Sequence, residues 1–263
     1  RKIFGTCSKA CKTYEDGDIM IERILDIVYP DNIYCICCGS IIDKSRAYSL
    51  CDTCLERMHW ITGRSCRICG KALQDTYAGD ICYDCMEEEH SFDRAFSCVE
   101  YGLYERAVIM DFKYGDKAYI GRKLAEAMYD RICCEDIFYD IIVPVPIHKS
   151  RKNSRGYNQA EIIAKHMSKL SGKPCIELLF RTRATEAMKN LSIAQRRDNI
   201  RGAFQIPEYM NKPVQGKNIL LIDDIYTTGA TFDECSKIIK SAGAKAVYCM
   251  AFASGANRKH EIN

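Results

Sequence analysis

No apolar run in the 263-residue chain approaches the length that crosses a bilayer, and the longest candidates, such as IIVPVPI at 141–147, are interrupted by proline. No membrane insertion is therefore expected. The first residues, RKIFGTCSKACK, also lack the apolar core of a secretory signal, so the expected location is the cytoplasm. An excess of one charge is missing too. With 38 Lys and Arg against 35 Asp and Glu, the net charge of +3 makes no case for nucleic acid by itself, and local basic clusters must carry that argument. The chain is 47% apolar, which suits a globular protein with one large core or an ordinary domain beside a smaller companion.

Cysteine is abundant instead. A reducing compartment turns 17 cysteines toward metal binding before disulfides. Eight of them form four CxxC pairs: Cys35 and Cys38, Cys51 and Cys54, Cys66 and Cys69, Cys82 and Cys85. A shift of 31 residues carries the first two pairs onto the last two, and Gly39 onto Gly70. That is an internal repeat. Twelve residues separate the pairs within each copy, enough for a hairpin to bring four thiolates around one zinc ion. A glycine straight after a CxxC lets the backbone turn so that amides face the sulfurs. Four protein ligands leave no open position for water, so two structural Zn2+ ions are expected, with the pairing of the motifs within or across repeats left open. Cys37 reads as a bystander between two ligands.

Ahead of this region, 18–29 has apolar residues at helical spacing and stops at Pro30. The expected divisions are an N-terminal segment at 1–33, a double zinc ribbon at 34–90 and an α/β domain at 91–263, with the acidic run MEEEH near the second boundary. In the last part strands alternate with helices. FSCVEYGLY reads as a strand pair or edge strand, YERAVIMDFKY as a helix start and GRKLAEAMYDRI as an amphipathic helix. YDIIVPVPI reads as a buried strand, NQAEIIAKHMSKL as a helix, 181–201 as a polar stretch, NILLI as a strand, FDECSKIIKSAG as a helix and AVYCMAF as a strand. Such alternation predicts a mostly parallel sheet with helices on both faces and a ligand at the carboxyl ends of its strands.

The segment ILLIDDIYTTGAT at 219–231 places Asp223 and Asp224 at the carboxyl end of an apolar strand. Gly229 permits a positive backbone angle, and amides over 227–231 can converge at a helix N-terminus, with hydroxyls from Thr227, Thr228 and Thr231. This is a phosphate cup without the lysine of a Walker loop. Carboxylates would repel a phosphate but accept hydrogen bonds from a sugar diol and tolerate a divalent cation. A ribose 5-phosphate satisfies both halves.

LLIDDIYTTGAT resembles the signature loop of the type I phosphoribosyltransferases, which bind phosphoribosyl pyrophosphate with Mg2+. Together with the paired CxxC motifs, FKYGDK, VPVPIHKSRKNSRGYNQAE and LSIAQRRDNIRGAF, the chain resembles the ComF family, also called ComFC, from about Ile24 to Ala253. That resemblance implies a phosphoribosyltransferase-like domain after a double zinc ribbon, and a part in natural competence and the uptake of DNA. It assigns the ribose hydroxyls to Asp223 and Asp224, and the 5-phosphate to the loop of Tyr226, Thr227, Thr228, Gly229, Ala230 and Thr231. Val143, Pro144, Val145 and Pro146 would floor the pyrophosphate, with Lys113 and Tyr114 nearby. Arg155, Asn158 and Gln159 join the substrate site. Lys113 and Arg196 join the aspartates as catalytic residues. The segment from Arg181 to Arg201 resembles a mobile loop that closes over substrate and gathers positive charge on the departing pyrophosphate. Met188 stands where the family is expected to have glutamine.

Two functions follow. One is Mg2+-dependent transfer of a phosphoribosyl group to an acceptor that the sequence does not name, since no segment reads as a nucleobase hood. The other is a non-catalytic competence factor that binds single-stranded DNA, or a DNA-uptake helicase or other competence protein, and keeps the phosphoribosyl pocket for sensing. Lys149, Arg151, Lys152 and Arg155 lie within seven residues and suit either a polyphosphate or a nucleic-acid backbone.

Overall fold

The structure, a computed structural model, describes residues 3–4, 32–185, 192–210 and 212–256. The helix expected at 18–29 and the position of Met188 lie outside the described residues.

Two short helices, α1 (Asp52–Arg57) and α2 (Tyr83–Glu87), belong to the cysteine repeat, and each follows a cysteine at its N-cap, Cys51 and Cys82. The chain continues through β1 (Arg94–Glu100), α3 (Leu103–Tyr114), α4 (Ile120–Cys133) and β2 (Ile141–Pro144). Next come α5 (Lys149–Arg155), α6 (Gln159–Ser171), β3 (Phe180–Arg181), α7 (Ile193–Ile200) and β4 (Phe204–Gln205). The last elements are β5 (Asn218–Tyr226), α8 (Ala230–Ser241) and β6 (Ala246–Ser254).

The main sheet has the order β1-β6-β5-β2, and every pair in it is parallel. Successive side chains of a strand point to opposite faces, so a sheet built from runs such as NILLI must be covered twice. On one face Phe96, Cys98, Leu220, Ile222, Met250 and Phe252 meet Leu124 and Met128 of α4 and Ile163 and Met167 of α6. On the other, Ala95, Ile219, Leu221, Val247 and Cys249 meet Phe232, Cys235 and Ile239 of α8. The expected parallel sheet with helices on both faces is present, and β1 is an edge strand.

The cysteine repeat straddles that edge. Cys35 and Cys54 join the first core, whereas Cys66, Cys69, Cys82 and Cys85 join the second. The segment between the copies and the first CxxC of the second copy bond to the outer side of β1: Ile61 N–H donates to Cys98 O (2.8 Å), Glu100 N–H to His59 O (2.8 Å) and Ala95 N–H to Ile68 O (2.7 Å). These bonds occupy a strand edge that would otherwise invite pairing with another chain.

Three details differ from expectation. β5 runs past NILLI through both aspartates to Tyr226, because the nine-residue β6 continues beside it and sets the small Ala251 and Ala253 opposite Asp223 and Ile225. The basic run after Pro146 forms α5, which Gly156 ends at a φ of 79°. The polar stretch at 181–201 holds α7, opened by a capping box between Ser192 and Gln195, and is flanked by the antiparallel pair β3 and β4. Its charge masked an apolar period, although the Ser-x-x-Gln spacing was a usable helix signal.

Candidate functional site

Each copy of the repeat forms its own cysteine tetrad. The sulfurs of Cys35, Cys38, Cys51 and Cys54 lie within 4.8 Å of one another, as do those of Cys66, Cys69, Cys82 and Cys85. The Cys38–Cys51 and Cys69–Cys82 sulfur distances are 3.7 and 3.5 Å. Four thiolates at the usual Zn–S length would stand about 3.8 Å apart, so both sets fit tetrahedral zinc. The backbone N–H groups of Cys51 and Cys82 reach the sulfurs of Cys35 and Cys66, each at 3.3 Å. Gly39 and Gly70 take φ values of 74° and 71°, which the turn requires. The motifs therefore pair within copies, in two structural zinc sites with no open coordination position.

The second candidate centre lies where β5 ends. Asp223 and Asp224 stay in contact at the strand end, where the Asp224 N–H donates to Asp223 Oδ1 (2.8 Å). Asp223 lines a recess with Ile225, Tyr226, Thr227, Gly229, Thr231 and Phe232. Asp224 is nearly buried, and the Lys113 ammonium, from the last turn of α3, lies 2.6 Å from its Oδ2. Desolvation, with the Asp224 charge next to it, pushes the Asp223 carboxyl up to about 8 against the opposing pull of Lys113. Gly229 caps α8 at a φ of 82°, and Ala230 and Thr231 begin that helix. Thr228 Oγ1 is buried without a hydrogen-bond partner, a hydroxyl turned into the loop with its bonding capacity unused.

The other expected residues sort into neighbours and supports. β2 is the partner of β5, with Pro144 beside Ile222 and the Val145 N–H donating to Ile222 O (2.9 Å). The backbone of Val143, Pro144, Val145 and Pro146 thus runs next to Asp223, while the Val143 and Val145 side chains fill the core. Asn158 donates to Val145 O (3.0 Å) and accepts from the Ala160 N–H (3.2 Å), so its side chain fastens that loop to α6. Gln159 is buried and accepts from Arg155 (3.2 Å), and its Nε2 is without a partner. Arg155 also donates to the Tyr114 hydroxyl (3.0 Å) and lies over that ring, 4.9 Å from its centre. FKYG and HKSRKNSRG therefore meet in space.

Arg196 sits on α7 beside Arg197, whose guanidinium bonds Glu88 of the cysteine repeat. Arg181 carries more information than its place in a polar stretch suggested. Desolvation and the charge of Arg151 pull it down to about 10, and the charge of Asp223 opposes them. Sequence reasoning also passed over Lys71, which donates to Asp84 (2.6 Å) and shares a cleft with Glu87, Glu88, Tyr226, Thr227 and Thr228. Among the described residues, no helix is long and apolar enough to cross a membrane.

Comparison with known proteins agrees with the cysteine centre. The double zinc ribbon domain family matches residues 24–86. Competence protein F of Haemophilus influenzae is 27% identical over 82% of this chain and 94% of its own length. Competence protein ComFC of Bacillus subtilis is 26% identical over 75% of this chain and 80% of its own. The DNA utilization protein YhgH of Escherichia coli K12 is 36% identical over 41% of this chain and 46% of its own length. A solved structure of the allosteric regulatory enzyme of purine biosynthesis is 18% identical, with a TM-score of 0.36, over 54% of this chain and 29% of that one.

Proposed function

We propose that this homologue of competence protein F and ComFC, built on a double zinc ribbon, binds phosphoribosyl pyrophosphate with Mg2+ at the end of β5 and acts in the handling of incoming DNA. The observation that carries the ligand is the recess itself. It joins the Asp223 carboxyl to a glycine-capped helix N-terminus whose loop holds an unpartnered threonine hydroxyl. A diol and a phosphate a few ångströms apart meet those two needs. In this reading Asp223 and Asp224 hold the ribose hydroxyls and Lys113 supplies their countercharge. The amides and hydroxyls from Thr227 to Thr231 hold the 5-phosphate. The backbone from Val143 to Pro146 lies under the pyrophosphate, in the place that adjacency to β5 gives it. Mg2+ would ride on the pyrophosphate oxygens and offset their charge. Asp223, which lines the recess, would face the cation, whose charge would draw off the proton that this carboxyl otherwise holds.

In a transfer reaction, the bond from the anomeric carbon to pyrophosphate breaks, and the leaving group takes the electron pair. A nucleophile of the acceptor forms the new bond. Arg181, whose charge interacts with those of Asp223 and Arg151, would attract the departing charge. The role in DNA handling is supported by the names of the relatives and by the exposed Lys149 and Lys152 on α5. If α5 contacts a DNA backbone without any transfer, affinity for single-stranded DNA falls steeply as salt rises.

Titration calorimetry checks the ligand. The native protein with Mg2+ is expected to bind phosphoribosyl pyrophosphate, and Asp223→Asn with Asp224→Asn to lose that binding. Absence of heat for the native protein would falsify the proposal.

A further inference from the structure

The shift of 31 residues that superposes the cysteines also carries His59 onto His90. Both histidines do the same thing in space. Each meets a carboxylate in the first turn of a helix whose N-cap is glycine: His59 Nδ1 lies 3.3 Å from Glu105 at the start of α3, and His90 Nδ1 lies 2.9 Å from Asp233 at the start of α8. Each ring also sits against that glycine. A Cβ on Gly102 would come within 2.8 Å of His59, and one on Gly229 within 3.0 Å of His90. Each zinc ribbon is thus docked by one histidine onto one helix N-terminus.

The two joints differ in two respects. The His90 side chain is 3% exposed and His59 60%, and His90 Nε2 lies 3.4 Å from the sulfur of Cys85. One buried ring therefore bridges a cysteine of the second tetrad to the helix that begins at the candidate phosphate loop. The Ser91 N–H donates to the other Asp233 oxygen (2.8 Å). His90 stacks on Phe92, with centroids 4.6 Å apart, and Phe92 meets Tyr226 and Phe232 edge-on. Tyr226 precedes the loop and Phe232 follows it, so the packing grips both ends.

We propose that His90 and Asp233 are positioning residues through which the second cysteine tetrad holds the Thr227–Thr231 loop in its ligand-binding shape. The functional half of this inference rests on the reading of that loop as the phosphate site; the mechanical half does not. A groups-in-series arrangement of this kind is how partners beyond the ligand shell usually fix a metal site, and losing one typically costs about 10-fold in affinity or activity.

The test compares zinc-loaded native protein with His90→Ala, Asp233→Asn and His59→Ala by zinc content, amide hydrogen exchange over 227–231, and calorimetry with phosphoribosyl pyrophosphate and Mg2+. His90→Ala is expected to keep about two zinc ions, to exchange about 10-fold faster in that loop and to bind about 10-fold more weakly. Asp233→Asn, which leaves the ring and all four cysteines in place, should move in the same direction, while His59→Ala leaves the loop unchanged. If His90→Ala does not fold, Asp233→Asn decides. Native exchange over 227–231 in whichever variant decides overturns the proposal, as does equal acceleration by His59→Ala. If the native protein binds no phosphoribosyl pyrophosphate, the ligand reading fails, and the exchange data still judge the joint. Cobalt supplies a separate readout: in cobalt-loaded protein, ligand should shift the thiolate absorption in the native form and leave it unmoved in His90→Ala.

Discussion

Asp223 and Asp224 carry the same side chain one residue apart, yet their surroundings set them different tasks. Asp224 has a cation at 2.6 Å, and Asp223, half-buried at the wall of the recess, is desolvated beside a like charge. The sign of the pH effect follows from the raised value. Between about 4, where a free carboxyl ionises, and about 8, the folded state holds a proton that the unfolded chain has released. Stability should therefore fall as pH rises through that window, and Asp223→Asn should flatten the decline in urea melts taken from pH 4 to 9. An unchanged slope would show that Asp223 is ordinary. Lys113→Met leaves the Asp224 carboxylate nearly buried with no countercharge. Urea denaturation should register a loss of about 3 kcal/mol, the low end for a broken buried ion pair.

At the scale of elements, what could be read beforehand was what short-range chemistry dictates. The cysteine spacing, the glycine after each first CxxC and the Asp-Asp-to-Thr-Gly-Ala-Thr run impose their geometry locally: four-cysteine sites and a Gly229 turn were legible, and the pairing within copies came from the structure. The overlooked parts depend on partners distant in the chain. His90 works through Asp233, 143 residues away, and Lys71 shares a cleft with Tyr226, Thr227 and Thr228. His90 ended the acidic run MEEEH and looked like solvent-facing sequence, although its repeat mate His59 was a signal within reach. The tetrads also differ in access, since Cys38 is exposed while all four cysteines of the second set are buried. A chelator should release zinc in two phases, the first set before the second, as followed with a colorimetric indicator. Cys38→Ser should remove the fast phase, and a single phase from the native protein would contradict the ordering.

For the whole molecule, the double ribbon is a clamp on the edge of the sheet, with one tetrad feeding each core. The parallel sheet was legible because buried strands and amphipathic helices alternate visibly. Its union with the ribbon was not, because the hydrogen bonds between β1 and Ile61, His59 and Ile68 use backbone groups that nearly any residue supplies. Through the second tetrad the clamp reaches the loop at the end of β5, so metal, sheet edge and candidate ligand site form one connected body. The central claim is that this site takes a phosphoribosyl donor. A crystal structure of the protein with phosphoribosyl pyrophosphate and Mg2+ tests it most directly. The account predicts the 5-phosphate on the amides of Thr227 to Thr231, with the ribose hydroxyls toward Asp223 and Asp224; a donor bound elsewhere, or an empty recess at saturating donor, would contradict it.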